Sequence, residues 1–244
     1  MRTIVVTGSA GAIGQPVCTE LLRRGHRVRG FDRVPTPWLS EAVVGDLVDR
    51  DAVRAAVRGA DALVHLAAEP DDADFSVLEG PNVRGLFHVL DAARHEGVRR
   101  VVLASSIQVL GRWWEQGARP AGCRDTLPIN HYGLTKVWAE QMAEMYARAY
   151  GLSVIAARVA FMVRNAEEAA SLAQRQLFDT YLSRADVGRF FAAAIEASAI
   201  DFAVLYVVGL GGERLFDMES TRRLLGFVPH DRWPEGLGFP PPGA

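Results

Sequence analysis

Cysteine is scarce in this chain: Cys18 and Cys123 are the only two among 244 residues. They stand far apart with no partner spacing, so the sequence carries no disulfide framework. Cys18 falls in a helical apolar stretch and reads as a small buried hydrophobe rather than a redox thiol. Such thin cysteine usage fits a reducing compartment and points to a cytoplasmic protein. An excess of one charge is also missing: 27 basic residues face 29 acidic ones, for a formal net charge of −2. Basic residues are scattered, with doublets such as Arg99-Arg100 and Arg222-Arg223, and form neither a nucleic-acid stripe nor a polybasic membrane segment. The most apolar late stretch, Phe190 to Val208, is broken by Glu196 and Asp201 and reads as a helix then a strand, not a membrane span. No signal peptide is expected, because residue 3 already begins a strand that runs into a glycine turn. Internal repeats and separating linkers are absent. With 49% hydrophobic and 23% charged residues, the chain has the composition of a soluble globular protein. Its length supports one large domain, with or without a small appendage.

What is present is an alternation of short β-rich runs with amphipathic helical stretches. "TIVVTG", "RVRGFD", "AVVGD", "ADALVHLAA", "RRVVLASS" and "LSVIAAR" read as strands. Between them, helices are expected at Ala12 to Arg24 (closed by Gly25), in "DRDAVRAAVRG", at Gly80 to Glu96 (closed by Gly97) and from Tyr132 to about Tyr150 before Gly151. Apolar strands alternating with helices predict an α/β protein: a doubly wound parallel sheet with helices on both faces. Past Arg158 the rhythm loosens. "RNAEEAASLAQRQLF" is expected to be a helix with irregular edges, "TYLSRADVGRFFAAAIEA" a short strand feeding a helix, and "FAVLYVVG" a late strand. The tail "GFPPPGA" is too proline-rich to form a regular element and is expected to fray.

"VTGSAGAIG" follows the first strand and opens the first helix, with Gly8, Gly11 and Gly14 at G-x-x-G-x-x-G spacing. Glycines there permit a tight turn and a close ligand approach, and a helix N-terminus offers unpaired N–H groups to a pyrophosphate. The first βα junction of an alternating pattern is the context this motif requires. Asp32 ends the second strand. A carboxylate there can accept both ribose hydroxyls of an adenosine and repels a 2′-phosphate, which favours NAD over NADP. Arg33 beside it could hold a 2′-phosphate.

In "INHYGLTKVWAEQ", Tyr132 and Lys136 lie four residues apart on one helix face. A tyrosine with a pKa near ~10 is a poor base at neutral pH. A nearby ammonium is expected to stabilise the phenolate and lower that value. Ser105 and Ser106 fall at the C-terminal end of the preceding strand, the sheet edge at which ligands bind.

The set of TGxxGxxG, Asp32, "GDL" with Asp46, "HLAA" from His65 to Ala68, "NVRG" with Asn82, "ASS" and "YGLTK" resembles the extended short-chain dehydrogenase/reductase family. It is similar to that family's NAD-dependent epimerase/dehydratase group over roughly residues 1 to 160. The resemblance implies a dinucleotide-binding Rossmann core there. Residues 161 to 244 would complete the sheet and supply a small substrate-binding region within the same domain. It implies Tyr132 as the general acid/base, Lys136 as its pKa modifier and a ligand of the nicotinamide ribose, and Ser106 as the substrate-positioning hydroxyl. Gly8, Gly11, Ala12, Ile13 and Gly14 would hold the pyrophosphate, Asp32 the adenine ribose, and Asp46 with Leu47 the adenine. Leu66, Ala67 and Ala68 would line the cofactor cleft, with Asn82 a structural hydrogen bonder. No metal is implied.

Nucleotide-sugar members carry a longer C-terminal region and Arg-x-x-Asn-x-x-Gly-Pro after the sixth strand. This chain is short after Lys136 and reads "RVAFMVRN" there. Its length, "HLAAEPDDADFSVLEGPNVRGLFHVLDAAR" and "QRQLFDTYLSRADVGRFFAAAIEA" instead resemble uronate dehydrogenases and related bacterial sugar dehydrogenases. That resemblance implies Arg175 as a clamp for a substrate carboxylate, with Arg164 a second candidate; an arginine fork can bind both carboxylate oxygens. The chain departs from that branch with Pro70 in place of a serine and Ile107-Gln108 in place of Asn-His. These changes predict a different or less polar substrate held by Pro70, Ser106 and Gln108. Trp113 and Trp114 add aromatic surface before Tyr132. The expected activity is oxidation of a hydroxyl of a small sugar or sugar acid. An epimerase or dehydratase with recycled NAD is the first alternative, and a non-catalytic dinucleotide sensor the second. The resemblance also implies a homodimer or higher homo-oligomer built on the Gly80–Glu96 and Tyr132–Tyr150 helices.

Overall fold

The computed structural model describes residues 1–111, 121–198 and 200–239. Trp113 and Trp114 lie outside the described residues, as does the proline run of the tail. Seven parallel strands form one sheet: β1 (Thr3–Thr7), β2 (Arg27–Asp32), β3 (Glu41–Val44), β4 (Ala62–His65), β5 (Arg100–Ser106), β6 (Ser153–Val159) and β7 (Phe202–Val207). Their order is β3-β2-β1-β4-β5-β6-β7, so the winding direction reverses between β1 and β4. That reversal opens a crevice at the C-terminal strand ends.

Side chains alternate across each strand and feed two cores. Ile4 and Val6 join one cluster and Val5 the other. The first cluster takes Val17, Cys18 and Leu21 of α1 (Gly14–Arg23) together with Phe190, Phe191 and Ile195 of α7 (Arg184–Glu196). The second takes Val53 and Val57 of α2 (Arg50–Val57), Val89 and Leu90 of α4 (Leu86–His95), and Ala139, Ala143 and Tyr146 of α5 (His131–Tyr150). The doubly wound α/β fold is thus as the alternation predicts. Among the described residues no helix is long and apolar enough to cross a membrane.

Four local features differ from expectation. The helix expected from Gly80 begins earlier, as α3 (Phe75–Leu78), and passes through a π-helical segment, Glu79–Gly85, before α4. Pro81 has no amide to donate one turn back, and the widened turn accommodates that missing bond. The short strand expected before α7 is reduced to one bridge between Phe161 and Tyr181. The Tyr181 amide is spent on a 3₁₀ turn, donating to Phe178 O, and Ser183 already caps α7 by accepting the Asp186 amide. A further helix, α8 (Met218–Leu225), is capped by Asp217 and closed by Gly226 in the left-handed region. Lastly, Phe239, in the tail expected to fray, packs with Trp233 and Leu237 against Val163, Leu172 and Tyr181. These residues form a satellite core over α6 (Ala166–Gln174).

One buried ion pair ties α5 to the sheet. Arg158 on β6 is fully buried and forks onto Glu140, donating through Nε to Oε1 and through Nη2 to Oε2, each at 2.8 Å. Its Nη1 donates to Tyr206 Oη at 2.7 Å and to the Asp125 carbonyl at 3.0 Å. Ser105 donates to Glu140 Oε1 at 2.6 Å. Three strands and one helix therefore converge on one bidentate pair, whose remaining acceptors and donors are satisfied.

Candidate active site

A cleft of about 800 Å³ opens at the C-terminal strand ends, lined among others by Gly8, Asp32, Ser106, Tyr132, Leu177 and Thr180. Its dinucleotide end is built by the β1–α1 turn. Gly8 has φ +73°, and a Cβ on Gly14 would lie 2.0 Å from Gly8 O, so no other residue fits at Gly14 without opening the turn. Among the described residues, the amides of Ala12, Ile13 and Gly14 find no backbone acceptor, and no side chain caps α1. A pyrophosphate suits those donors. Asp32 is held by two amides, Ala10 N–H on Oδ2 at 2.9 Å and Val34 N–H on Oδ1 at 3.0 Å, and each oxygen keeps acceptor capacity for a ribose hydroxyl. Arg33 is exposed at the same edge of the cleft. Asp46 and Leu47 line it too; His88 fixes their loop from behind by donating from Nδ1 to Leu47 O at 2.8 Å. Leu66, Ala67 and Ala68 form the floor. These groups fit a dinucleotide with a free adenosine ribose.

The floor is fastened by His65. Burial, with the Lys136 charge adding to it, pushes this imidazole down to about 3. It is therefore neutral, and its Nδ1 accepts from Thr7 Oγ1 at 2.8 Å. The same hydroxyl accepts the Leu66 and Ala67 amides at 3.2 and 3.3 Å, joining the ends of β1 and β4. The unfolded chain takes up a proton near pH 6.5 that the folded chain refuses until about pH 3. Stability is thus complete above pH 6.5 and falls as the pH drops below it, by ~2 kcal/mol at pH 5. Urea unfolding at pH 8 and pH 5 should show a smaller acid loss in His65→Asn; an identical loss would contradict this.

The chemical end of the cleft brings together Ser106, from the last position of β5, and Tyr132 and Lys136, from the first two turns of α5. Asn130 caps α5 by accepting the Gly133 amide at 2.7 Å, and Asp72 accepts the Tyr132 amide at 3.2 Å. Lys136 Nζ donates to Ala104 O at 3.1 Å and lies 5.4 Å from the Tyr132 ring centroid.

The expected lowering of Tyr132 by Lys136 is not what the structure shows. Burial raises the phenol to about 12, a hydrogen bond with Ser106 opposes this, Asp71 adds to the rise and Arg164 counters it. Lys136 is itself pushed down to about 8 by burial. Desolvation outweighs the local pairing, because both groups are over nine-tenths buried.

Lys136 is also the only lysine among the chain's 27 basic residues. Arginine serves everywhere else. An ammonium that titrates under burial is kept at the one position where it faces a phenol. That compositional signal is legible in the sequence, although spacing alone does not reveal it.

At the far end, the wall is Pro70, Ile129, Phe161, Met162 and Leu172, with Gln108, Arg164 and Arg175 as polar groups. Arg164 spans the cleft mouth, donating to Asp71 at 3.1 and 3.2 Å and to Glu168 at 2.6 Å. Arg175 is exposed, with no ion-pair partner among the described residues. Asn82 bonds Glu69 in both directions and reaches Thr135; it holds the loop after β4 and does not line the cleft. His131 is exposed and also lies off the cleft.

The profile of the NAD-dependent epimerase/dehydratase family matches residues 4–174. A uronate dehydrogenase from Pseudomonas syringae pv. tomato is 31% identical over 209 residues, covering 84% of this chain and 74% of that protein. An L-arabinose 1-dehydrogenase (NAD(P)(+)) from Haloferax volcanii is 29% identical over 249 residues, covering 95% and 97%. The crystal structure of a uronate dehydrogenase variant from Agrobacterium tumefaciens, complexed with NAD, superimposes with a TM-score of 0.82 at 25% identity, covering 100% of this chain and 92% of that one. A Rossmann sheet with this strand order, a glycine turn shaped for a pyrophosphate and these likenesses agree: the chain belongs to the NAD-dependent epimerase/dehydratase family and is an NAD-dependent enzyme of its uronate dehydrogenase-like branch.

Proposed function

We propose that the chain oxidises a hydroxyl of a small sugar or sugar acid, with Ser106, Tyr132 and Lys136 as its catalytic residues. The observation that carries this reading is the meeting of a buried phenol, a serine hydroxyl and the sole lysine at the chemical end of a dinucleotide-shaped cleft. NAD, when bound, supplies the two-electron acceptor for the carbon being oxidised. Ser106 Oγ holds the reacting oxygen, and Tyr132 Oη takes its proton. The positive charge of Arg164 and the Ser106 hydroxyl favour the phenolate, against burial and Asp71. Lys136, anchored on Ala104 O, keeps further donors for a ribose hydroxyl. Besides completing the sheet, residues 161–239 supply a small substrate-binding region, with Arg175, which has no ion-pair partner among the described residues, as a cation for a substrate carboxylate and Pro70 as part of the wall. With a uronate, the reacting hydroxyl is anomeric and the product a lactone. NADH absorbance on mixing the protein with NAD and uronates, neutral aldoses or small alcohols tests the substrate class. Uronates should give the fastest rate; a response to small alcohols alone would remove the sugar reading.

The same reading extends to a homodimer in a reducing cytoplasm, which its two free thiols suit. Phe87 on α4 and Leu134, Trp138 and Met145 on α5 are exposed on neighbouring helices, an apolar surface of the kind that marks an interface. Leu134→Glu combined with Trp138→Glu should convert a dimer to a monomer by light scattering after size exclusion. A wild-type monomer would refute the assignment.

A further inference from the structure

Asn130 and Gln108 form a relay that fixes the polarity of the substrate end. The orientation of a side-chain amide is ordinarily ambiguous, because its oxygen and nitrogen are alike in shape. Here a backbone group decides it. The Gly133 amide can only donate, so the Asn130 atom that receives it at 2.7 Å is Oδ1. Nδ2 is then the other end, and it donates to Gln108 Oε1 at 2.8 Å. The Gln108 carbonyl is therefore engaged, and its Nε2 has no partner among the described residues. Gln108 and Asn130 both line the cleft with Ser106 and Tyr132.

The charged groups at this end point the same way. Asp71 and Glu168, two carboxylates at its rim, both bond Arg164, whereas Arg175 has no ion-pair partner among the described residues. The Gln108 NH₂ can donate to any acceptor oxygen, and its bond to a charged carboxylate is stronger than one to a neutral hydroxyl.

We propose that Gln108 is a specificity-determining residue: its locked, donor-only NH₂ selects a substrate that brings a carboxylate or carbonyl oxygen within its reach while the reacting hydroxyl faces Tyr132. This rests on the reading of Ser106 and Tyr132 as the reacting centre. Asn130→Asp tests it without removing the helix cap, since aspartate caps as well as asparagine. An aspartate cannot donate, so Gln108 must turn its NH₂ toward it and show its carbonyl to the substrate.

The measurement is calorimetric binding of glucuronate against glucose, and galacturonate against galactose, to the NADH-loaded protein, in which the sugar cannot be oxidised. The wild type should prefer each acid. Asn130→Asp should weaken acid binding about tenfold or more, as expected for a lost hydrogen bond to a charged group, and change neutral-sugar binding little. In a Gln108→Leu background the same substitution should have less than about a threefold effect, because the relay is gone. An undiminished effect in that background would mean that the new charge acts directly, and the proposal fails. It fails equally if the wild type binds acid and neutral sugar alike, or neither. Acid preference without NAD reduction would overturn the dehydrogenase reading and leave this one standing.

Discussion

Tyr132→Phe should lower turnover by about 10³-fold, the scale of a positioned acid/base, while NAD affinity and the unfolding midpoint stay close to wild type. The substitution removes one oxygen and keeps the ring. At neutral pH that oxygen is protonated in the folded and the unfolded chain alike, since burial raises the phenol further, to about 12, so its removal changes little in the fold. No helix contact depends on it: the α5 cap uses the Asn130 side chain and the Gly133 amide, and the Tyr132 amide bonds Asp72. NADH formation reports turnover, and quenching of intrinsic fluorescence reports NAD binding. A rate within tenfold of wild type would exclude Tyr132 as the base. Joint loss of activity and NAD binding would instead point to collapse of the cleft.

The second large effect is on stability. Arg158→Met leaves the Glu140 carboxylate buried with only the Ser105 hydroxyl on it, and should cost ~3–5 kcal/mol. For a chain of this size each kcal/mol corresponds to roughly 2–4 °C, so the melting temperature should fall by about 10 °C. The pair is bidentate, 0% and 4% exposed on its two sides, and shared by strands β5, β6 and β7 through Ser105 and Tyr206. Glu140 lies one turn beyond Lys136 on α5, so the damage should reach the site as a raised KM for NAD. Arg158→Met combined with Glu140→Leu should recover most of the stability, because a well-packed apolar pair escapes the desolvation that an orphaned charge suffers. Scanning calorimetry of the two single variants and the double variant checks this. Single variants within about 1 kcal/mol of wild type would show that the pair is not what clamps α5.

The sheet was legible because its information is local. Apolar strands, closing glycines and the G-x-x-G-x-x-G turn are periodic or punctual features, and the C-terminal strand edge then follows from chain order alone. A shared helix face drew attention to Tyr132 and Lys136 and a strand end to Ser105 and Ser106, but only the family resemblance singled out Ser106 and attached a role to each. What resisted reading depends on tertiary burial. The sign of the Tyr132 shift follows from desolvation, which no i,i+4 spacing conveys. The bridge from Arg164 to Asp71 joins residues 93 apart in sequence, and the Asn130–Gln108 relay joins residues 22 apart. The π segment around Pro81 and the loss of a strand at Tyr181 are local competitions between backbone bonds that sequence pattern ranks poorly. The solitary lysine was the one strong signal in plain view, and it needed a count of what surrounds it rather than a motif.

The most direct test of net oxidation is the number of NADH molecules formed per protein chain when excess NAD and glucuronate or galacturonate are mixed with the enzyme. Many NADH per chain, absent in Tyr132→Phe, is the predicted result. At most one per chain, with the sugar isomerised or dehydrated, would mean that the cofactor is recycled and that the dehydrogenase account is wrong.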